Sequence, residues 1–355
     1  MEYLRTADFD YDLPEDLIAS KPSDKRDHSR LLILNRAEKT ISHKHFFDIR
    51  DHLGENDILV LNDTKVIPAR LIGKRSKSGG KAELLLLKKI SSNTWECMVF
   101  PYKRMKDGTE IDLGGCKAMV KHDIGESRKA VEFLFDGDFE SFLQQAGRIP
   151  LPPYIVSKLT EQEALEPDLL KRYQTVYAVK AGASAAPTAG LHFTTELLSE
   201  LNEKGAETAY ITLHTGMGTF KPVTADMVKD HKMASEEYEI TAESSEKINK
   251  ALQKGKRIIA VGTTVTRCLE DCFKKNGKIM PVKSSADIFI YPPFDFKIVR
   301  SLITNFHFPK STLLMLVSAF AGKELVSESY KEAVKEKYRF YSFGEIGRAS
   351  CRERV

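Results

Sequence analysis

Between residues 69 and 150 the chain changes texture, and that change limits its possible folds more than any other feature. Short β-rich runs at residues 82–87, 94–100, 109–113, 117–121 and 130–135 follow one another, with glycines at 108, 114, 115 and 125 in the turns. No amphipathic helix interrupts them before Phe139. Short strands at even spacing read as a small antiparallel β-barrel. Residues on both sides follow a different pattern, so the barrel reads as an inserted module.

The flanking pattern is strand, helix, strand. Ahead of the insert, residues 13–19 read as a short helix with Pro14 in its first turn, residues 31–34 as a strand, and residues 57–61 as a buried strand. After it, Thr194 caps a helix that presents Leu197, Leu198 and Leu201 to a core and exits at Gly205, and residues 207–213 form a strand. Helices at 241–254, 265–275, 312–321 and 324–338 then alternate with strands at 257–261, 287–291 and 299–303. The fold class expected is α/β, with a largely parallel-sheet main domain carrying the small antiparallel barrel. Its main domain is discontinuous, residues 1–68 and 154–345, and the barrel covers 69–153. The proline-rich segment at 148–155 reads as a stiff connector that enters neither helix nor central strand. Residues 346–355 continue no helical period and are set aside as a non-native tail.

Composition bounds the function classes. A chain of 355 residues, 42% of them hydrophobic, has material for two cores. The formal charge of +4 neither demands nor opposes a nucleic-acid partner, so the placement of basic residues matters more than their sum. The five cysteines, Cys97, Cys116, Cys268, Cys272 and Cys351, are odd in number and contain no C-x-x-C pair. That pattern argues against a zinc ribbon and a disulfide framework, and favours a reducing cytoplasm. No leader-like start and no apolar run near the roughly 18 residues of a membrane span is present, so no membrane partner is expected. Monomer is the default oligomeric state.

Chemistry collects where strands stop. The strand at 57–61 delivers Asn62-Asp63-Thr64, and that at 207–213 delivers His214 and the run Gly216-Met217-Gly218-Thr219-Phe220. Further on come Gly262-Thr263-Thr264-Val265-Thr266-Arg267 and Thr304-Asn305-Phe306-His307. Carboxyl ends of parallel strands are where α/β sheets bind ligands. The stretch Ser184-Ala185-Ala186-Pro187-Thr188-Ala189-Gly190-Leu191-His192-Phe193 joins small residues, a proline, hydroxyls and a histidine, and reads as an active-site floor. Each feature has a plainer reading: Asn-Asp-Thr is good turn chemistry, and a lone loop histidine commonly serves as a hydrogen-bonding strut. His192, His214, His231 and His307 show no metal-ligand spacing and suit acid–base work better. Gly262-Thr263-Thr264 before a helix can offer N–H groups to an anion, but the spacings of nucleotide-binding loops are absent. Cys268 and Cys272, four apart on a helix, read as packing.

In the barrel, Lys88, Lys89, Lys103, Arg104 and Lys106 flank the aromatics Trp95, Phe100 and Tyr102. Single-stranded RNA recognition uses this mixture, although Trp95 serves equally well as a core aromatic and the lysines as a solvated rim. Arg26, Asp27 and Arg30 read first as a surface ion cluster.

Several long motifs resemble one family. They are Arg26-Asp27-x-Ser29-Arg30-Leu31-Leu32, Leu61-Asn62-Asp63-Thr64-x-Val66-Ile67-Pro68-Ala69-Arg70-Leu71 and Pro150-Leu151-Pro152-Pro153-Tyr154-Ile155. Arg172-Tyr173-Gln174-Thr175-Val176-Tyr177-Ala178, the run from Ala185 to Phe193, Gly218-Thr219-Phe220-x-Pro222-Val223, Val261-Gly262-Thr263-Thr264 and Ile303-Thr304-Asn305-Phe306-His307 continue the match. From Tyr11 to about Gly344 the chain resembles the S-adenosylmethionine:tRNA ribosyltransferase-isomerases of queuosine synthesis. The resemblance implies an α/β domain with an inserted barrel. It implies transfer and isomerisation of the ribosyl moiety of S-adenosylmethionine onto 7-aminomethyl-7-deazaguanine at the tRNA wobble position, giving epoxyqueuosine, adenine and methionine. S-adenosylmethionine is then a substrate, no cofactor or metal is required, and the partner is tRNA carrying the deazaguanine.

Within that resemblance, His192 or His214 is expected as the base, with Glu236 and His307 as alternatives. Arg267 and the amides of Thr263 and Thr264 would hold the methionine carboxylate. Asn62, Asp63 and Asn305 would read ribose hydroxyls or the deazaguanine edge, and Thr188 and Gly190 would line the substrate site. Lys103, Arg104, Lys106 and Arg30 would meet tRNA. The chain departs from the family pattern at Ala183 (usually serine), Ser184 (usually valine), Ala234 (usually histidine) and Pro293 (usually glycine), and lacks the usual ending after Gly344. Without an imidazole at Ala234, no acid–base role falls there. Two other classes, a non-enzymatic RNA-binding module and a metal-dependent hydrolase, would bind tRNA without releasing adenine or copurify with a metal.

Overall fold

The fold is described from a computed structural model covering residues 4–125, 127–135, 137–160, 162–216 and 223–350. In chain order the strands are β1 (Arg30–Asn35), β2 (Thr40–His45), β3 (Asp57–Asn62), β4 (Thr64–Val66), β5 (Arg70–Arg75), β6 (Lys81–Lys89), β7 (Thr94–Phe100), β8 (Glu110–Asp112), β9 (Lys117–Gly125) and β10 (Arg128–Leu134). Helices α1 (Phe139–Ala146), α2 (Pro153–Val156) and α3 (Pro167–Arg172) lead to β11 (Lys180–Ala183), α4 (Thr195–Glu203), β12 (Glu207–Leu213), β13 (Glu236–Ile240), α5 (Ala242–Gln253), β14 (Arg257–Val261) and α6 (Thr263–Asn276). The remainder is β15 (Val282–Ala286), β16 (Ser301–Asn305), α7 (Thr312–Ala321), α8 (Lys323–Lys335) and β17 (Ile346–Ser350). Two compact units result. One takes residues up to Thr64, Pro153–Lys180 and Ala186 onward, and the other takes Lys65–Pro152 with Ala181–Ala185.

The larger unit is built on a sheet of nine strands among the described residues, ordered β15-β13-β12-β3-β14-β16-β17-β1-β2. Its centre, β12-β3-β14-β16, is parallel, and the β15-β13-β12 flank is antiparallel. The continuous apolar run of β3 reflects burial on both faces. Ile58 and Val60 join a core with α5, α6, α7 and α8, while Leu59 and Leu61 join a second core with α4 and the turn Phe46–Asp51. Alternate side chains of a strand point to opposite faces, so both cores are served by six residues. Helix α4 begins where the Thr194 hydroxyl accepts the Leu197 N–H at 3.0 Å, and it buries Leu197 and Leu201. Such a cap contributes about 1 kcal/mol, and each buried leucine about 1.5–3 kcal/mol. Cys268 and Cys272 are core packing on α6.

The smaller unit holds a closed barrel, β10-β7-β6-β5-β8-β9, antiparallel throughout. Alternation along β6 buries Ala82, Leu84 and Leu86, which meet Cys97, Val99, Ile111, Val120, Val131 and Phe133 inside. Closure removes the unpaired edges that an open sheet of short strands would expose.

Four local expectations are corrected. Residues 13–19 hold only the one-turn helix Glu15–Leu17, and residues 287–291 form no strand. Ile288 and Ile290 enter the core as irregular chain, and the strand beside them is the polar edge Val282–Ala286. The proline-rich connector does contain a turn of helix, α2, because Pro153 stands first, where its missing N–H costs nothing. Residues Ile346–Ser350 do not stand outside the fold: they form β17, antiparallel to β16 and parallel to β1. Five residues suffice for a strand between two waiting edges, whereas a search for helical period passes over them. Residues 351–355, Cys351 included, lie outside the described residues.

Candidate active site at the strand ends

The parallel centre of the sheet brings the carboxyl ends of β3, β12, β14 and β16 to one edge. Asn62 ties two of them. Its Nδ2 donates to the Leu213 carbonyl at 2.9 Å, and its Oδ1 accepts from the N–H groups of Leu213 and Thr64 at 3.0 and 3.2 Å. Fully buried, with its amide nitrogen and oxygen both bonded to the backbone, Asn62 holds the site's frame together.

That frame fixes His214 and Asp63. The Thr64 hydroxyl lies 2.8 Å from His214 Nδ1, and the Thr212 hydroxyl donates to Asp63 Oδ1 at 2.6 Å. Among the described residues, His214 Nε2 has no hydrogen-bond partner. Burial lowers the His214 pKa, opposed by the charges of Asp63, Glu237 and Glu239. Burial raises the Asp63 carboxyl, opposed by the Thr212 hydrogen bond and by Lys180 and His214. A neutral imidazole with one nitrogen oriented and the other open can accept a proton.

His192 is arranged differently. It sits on the short 3-10 helix Thr188–His192, with Nδ1 at 2.5 Å from Ser29 Oγ and Nε2 at 3.2 Å from Asn305 Nδ2. The Asn305 amide donates to Nε2, so the ring proton is on Nδ1 and points to Ser29. Thr188 completes the chain by donating to Asn305 Oδ1 at 2.8 Å. Burial, with Arg339 and Arg26 adding repulsion, pushes His192 down to about 3. Both of its nitrogens are engaged, which is the geometry of a strut. Of the two candidate bases, only His214 offers an open nitrogen.

One glycine lets these pieces approach and a second takes a backbone conformation that side chains disfavour. A Cβ on Gly190 would stand 2.1 Å from the Tyr177 hydroxyl and 2.8 Å from Thr175 Cγ2. Gly262, at φ +96°, joins β14 to α6 in a backbone region that disfavours side chains, and a Cβ there would lie 3.8 Å from Ala189. The 14-residue helix α6 opens on buried Thr263 and Thr264, and the Thr264 hydroxyl has no partner among the described residues. The first N–H groups of such a helix lack intrahelical acceptors and carry the positive end of its dipole.

The remaining expected residues lie elsewhere or are engaged. Arg267 is buried, paired with Glu236, and donates to the carbonyls of Ala286 (2.9 Å), Ala234 (3.3 Å) and Ile288 (3.3 Å). Its fork is spent on bracing the β13–β15 edge, so neither it nor Glu236 stands ready for a ligand. His307 places Nε2 at 2.9 Å from Thr304 Oγ1, while its N–H meets the Tyr330 hydroxyl at 3.0 Å and its carbonyl accepts from Tyr11 at 2.5 Å. Burial pushes it down to about 3. Arg30 stacks 3.8 Å over Tyr338 and donates to the Glu336 carbonyl at 2.6 Å, with its side chain 31% exposed. Lys103, Arg104 and Lys106 lie on the barrel unit, exposed and without carboxylate partners among the described residues. The Gly218-Thr219-Phe220 run lies outside the described residues. The sequence placed Thr64 at a ligand-binding strand end but gave no sign that its hydroxyl would orient His214, and it singled out neither Ser29 nor Thr212 for a role; hydroxyls that orient a histidine or a carboxylate leave no spacing signature.

Fold and site together define an α/β enzyme whose strand ends present a histidine and a carboxyl beside a helix N-terminus, with a β-barrel spliced into the chain. The family model described as queuosine biosynthesis protein matches residues 6–347. The chain is similar to the S-adenosylmethionine:tRNA ribosyltransferase-isomerase of Acetivibrio thermocellus, 51% identical over 344 residues, which cover 96% of this chain and 98% of that protein. The enzymes of the same name from Halothermothrix orenii and Clostridioides difficile are 49% and 48% identical over equal coverage. Among solved structures, the S-adenosylmethionine tRNA ribosyltransferase of Thermotoga maritima matches with a TM-score of 0.53 and 35% identity, covering 96% of this chain and 99% of that one. The chain belongs to the queuosine biosynthesis protein family and is an enzyme of its ribosyltransferase-isomerase class.

Proposed function

We propose that this enzyme transfers and isomerises the ribosyl moiety of S-adenosylmethionine onto 7-aminomethyl-7-deazaguanine at the wobble position of tRNA, forming epoxyqueuosine and releasing adenine and methionine. What carries the proposal is identity near 50% over essentially the whole chain to enzymes of that name. The strand-end site suits the reaction. A sulfonium acidifies the C5′ hydrogens beside it, so the first requirement is a neutral base, and His214 Nε2 meets it. Proton removal there starts expulsion of adenine; the aminomethyl nitrogen captures the rearranging sugar, and methionine leaves as the epoxide closes.

Asp63, with a carboxyl raised by burial and within electrostatic reach of His214, would return a proton. The N-terminus of α6, with the Thr264 hydroxyl unpartnered, would hold the methionine carboxylate in place of Arg267. The Ser29–His192–Asn305–Thr188 chain keeps the 3-10 helix rigid over the strand ends. S-adenosylmethionine enters as a consumed substrate, and the steps as written need neither metal nor redox cofactor. The free thiols of Cys97, Cys116, Cys268 and Cys272 suit a reducing cytoplasm, and among the described residues no helix is long and apolar enough to cross a membrane.

The test is incubation with S-adenosylmethionine and tRNA bearing the deazaguanine. Adenine and methionine should appear in equal amounts, only with the modified tRNA present, and should persist with a chelator. Release that ignores the tRNA, or stops with the chelator, would overturn the proposal.

A further inference from the structure

Phe100 is 68% exposed, an unusual position for a phenylalanine on a closed barrel. It ends β7, and the chain continues through Pro101 into the 3-10 turn Tyr102–Arg104. The turn is fixed. Arg104 and Met105 donate to the carbonyls of Pro101 and Tyr102, each at 3.0 Å, Thr109 donates to Lys106 at 2.9 Å, and Met105 is fully buried in the barrel core. Lys103, Arg104 and Lys106 are therefore held on the same turn that follows Phe100, exposed, with only Asp107 as an acid among them.

The neighbouring aromatics are committed. Tyr102 donates to Asp123 at 2.5 Å and lies under the Lys129 ammonium at 4.8 Å, and Trp95 packs against Phe139. Phe100 alone of the three keeps an open ring. An exposed ring followed within six residues by three exposed cations on a hydrogen-bonded turn suits a nucleotide: the ring would take the base by stacking, and the cations the phosphates. A base within a duplex already has both faces covered, so the ligand of such a platform is an unpaired nucleotide.

We propose that Phe100 is a stacking platform for an unpaired base of an RNA loop, with Lys103, Arg104 and Lys106 anchoring the backbone around it. This deepens the proposed function, on which it rests, by naming the positioning residue and the kind of RNA segment it engages.

The test measures binding by fluorescence anisotropy over a salt series, with two probes: an RNA stem-loop and a fully paired RNA of the same length. Phe100→Ala should weaken stem-loop binding by on the order of tenfold without changing its salt dependence, and Phe100→Trp should restore it. Lys103→Ala/Arg104→Ala/Lys106→Ala should instead flatten the salt dependence by roughly 0.7 per lost phosphate contact. With modified tRNA, Phe100→Ala should raise KM and leave kcat for adenine release at the parent value. Parent-like stem-loop binding by Phe100→Ala, or equal losses on stem-loop and duplex, would overturn the platform. Absence of adenine release by the parent would sink the proposed reaction, and the binding comparison would still decide the platform.

Discussion

His192 and His214 were indistinguishable as letters in a sequence, and their partners separate them. His192 is bonded at both nitrogens, whereas His214 is bonded at one. The buried histidines also set a pH dependence. His192 and His307 are pushed from 6.5 down to about 3, so the unfolded chain takes up protons between those values that the folded protein refuses. Their contribution to stability is complete above about pH 6.5 and is lost as pH falls toward 3. Thermal unfolding followed from pH 7 to 4.5 should show Tm falling with pH, and His192→Gln should flatten the fall; an unchanged slope in the variant would contradict the buried neutral ring. For His214 the shift is also downward, so the acid limb of the pH profile of adenine release should lie below 6.5. The sequence showed which residues cluster at strand ends but not which atoms were already spent. Asn62, Arg267 and Glu236 have the chemistry of ligand-binding groups, and only the fold shows that their hydrogen bonds go to the protein itself.

Helices with good caps were readable in the sequence because a cap is local: Thr194 and Thr241 accept the Leu197 and Ser244 N–H groups where the side-chain chemistry said a helix should begin. Strands at sheet edges were less readable. Val282–Ala286 is half polar and Ile346–Ser350 is short, and each is a strand because a neighbour offers it hydrogen bonds. Propensity carries little information where tertiary pairing decides. The Arg267–Glu236 pair belongs to this scale, since it braces β13 and β15 from α6. Arg267→Met should destabilise the enzyme by about 3–5 kcal/mol by taking the guanidinium away from the buried Glu236 carboxylate, and adding Glu236→Leu should recover most of that in urea unfolding. A single variant with parental stability but a raised KM for S-adenosylmethionine would instead return Arg267 to the substrate site.

For the whole molecule, the barrel insert was legible because its texture differs from that of the α/β chain around it, and the sheet's centre because β3, β12, β14 and β16 are buried apolar runs ending in polar clusters. The role of residues 346–350 was not legible, because β17 is stabilised by two strands distant in sequence. Deleting residues 346–355 should expose the facing edges of β1 and β16 and turn the enzyme into an aggregating species by size-exclusion chromatography; a monodisperse, active truncation would show the strand to be dispensable. In the proposed reaction the chemistry converges on the carboxyl edge of the parallel strands, with His214 as the base. Its most direct test is the rate of adenine release from S-adenosylmethionine with deazaguanine-bearing tRNA at saturation, compared between parent and His214→Ala. The expected result is a loss of at least about 100-fold with both substrates still bound, and a variant that releases adenine at the parent rate would contradict it.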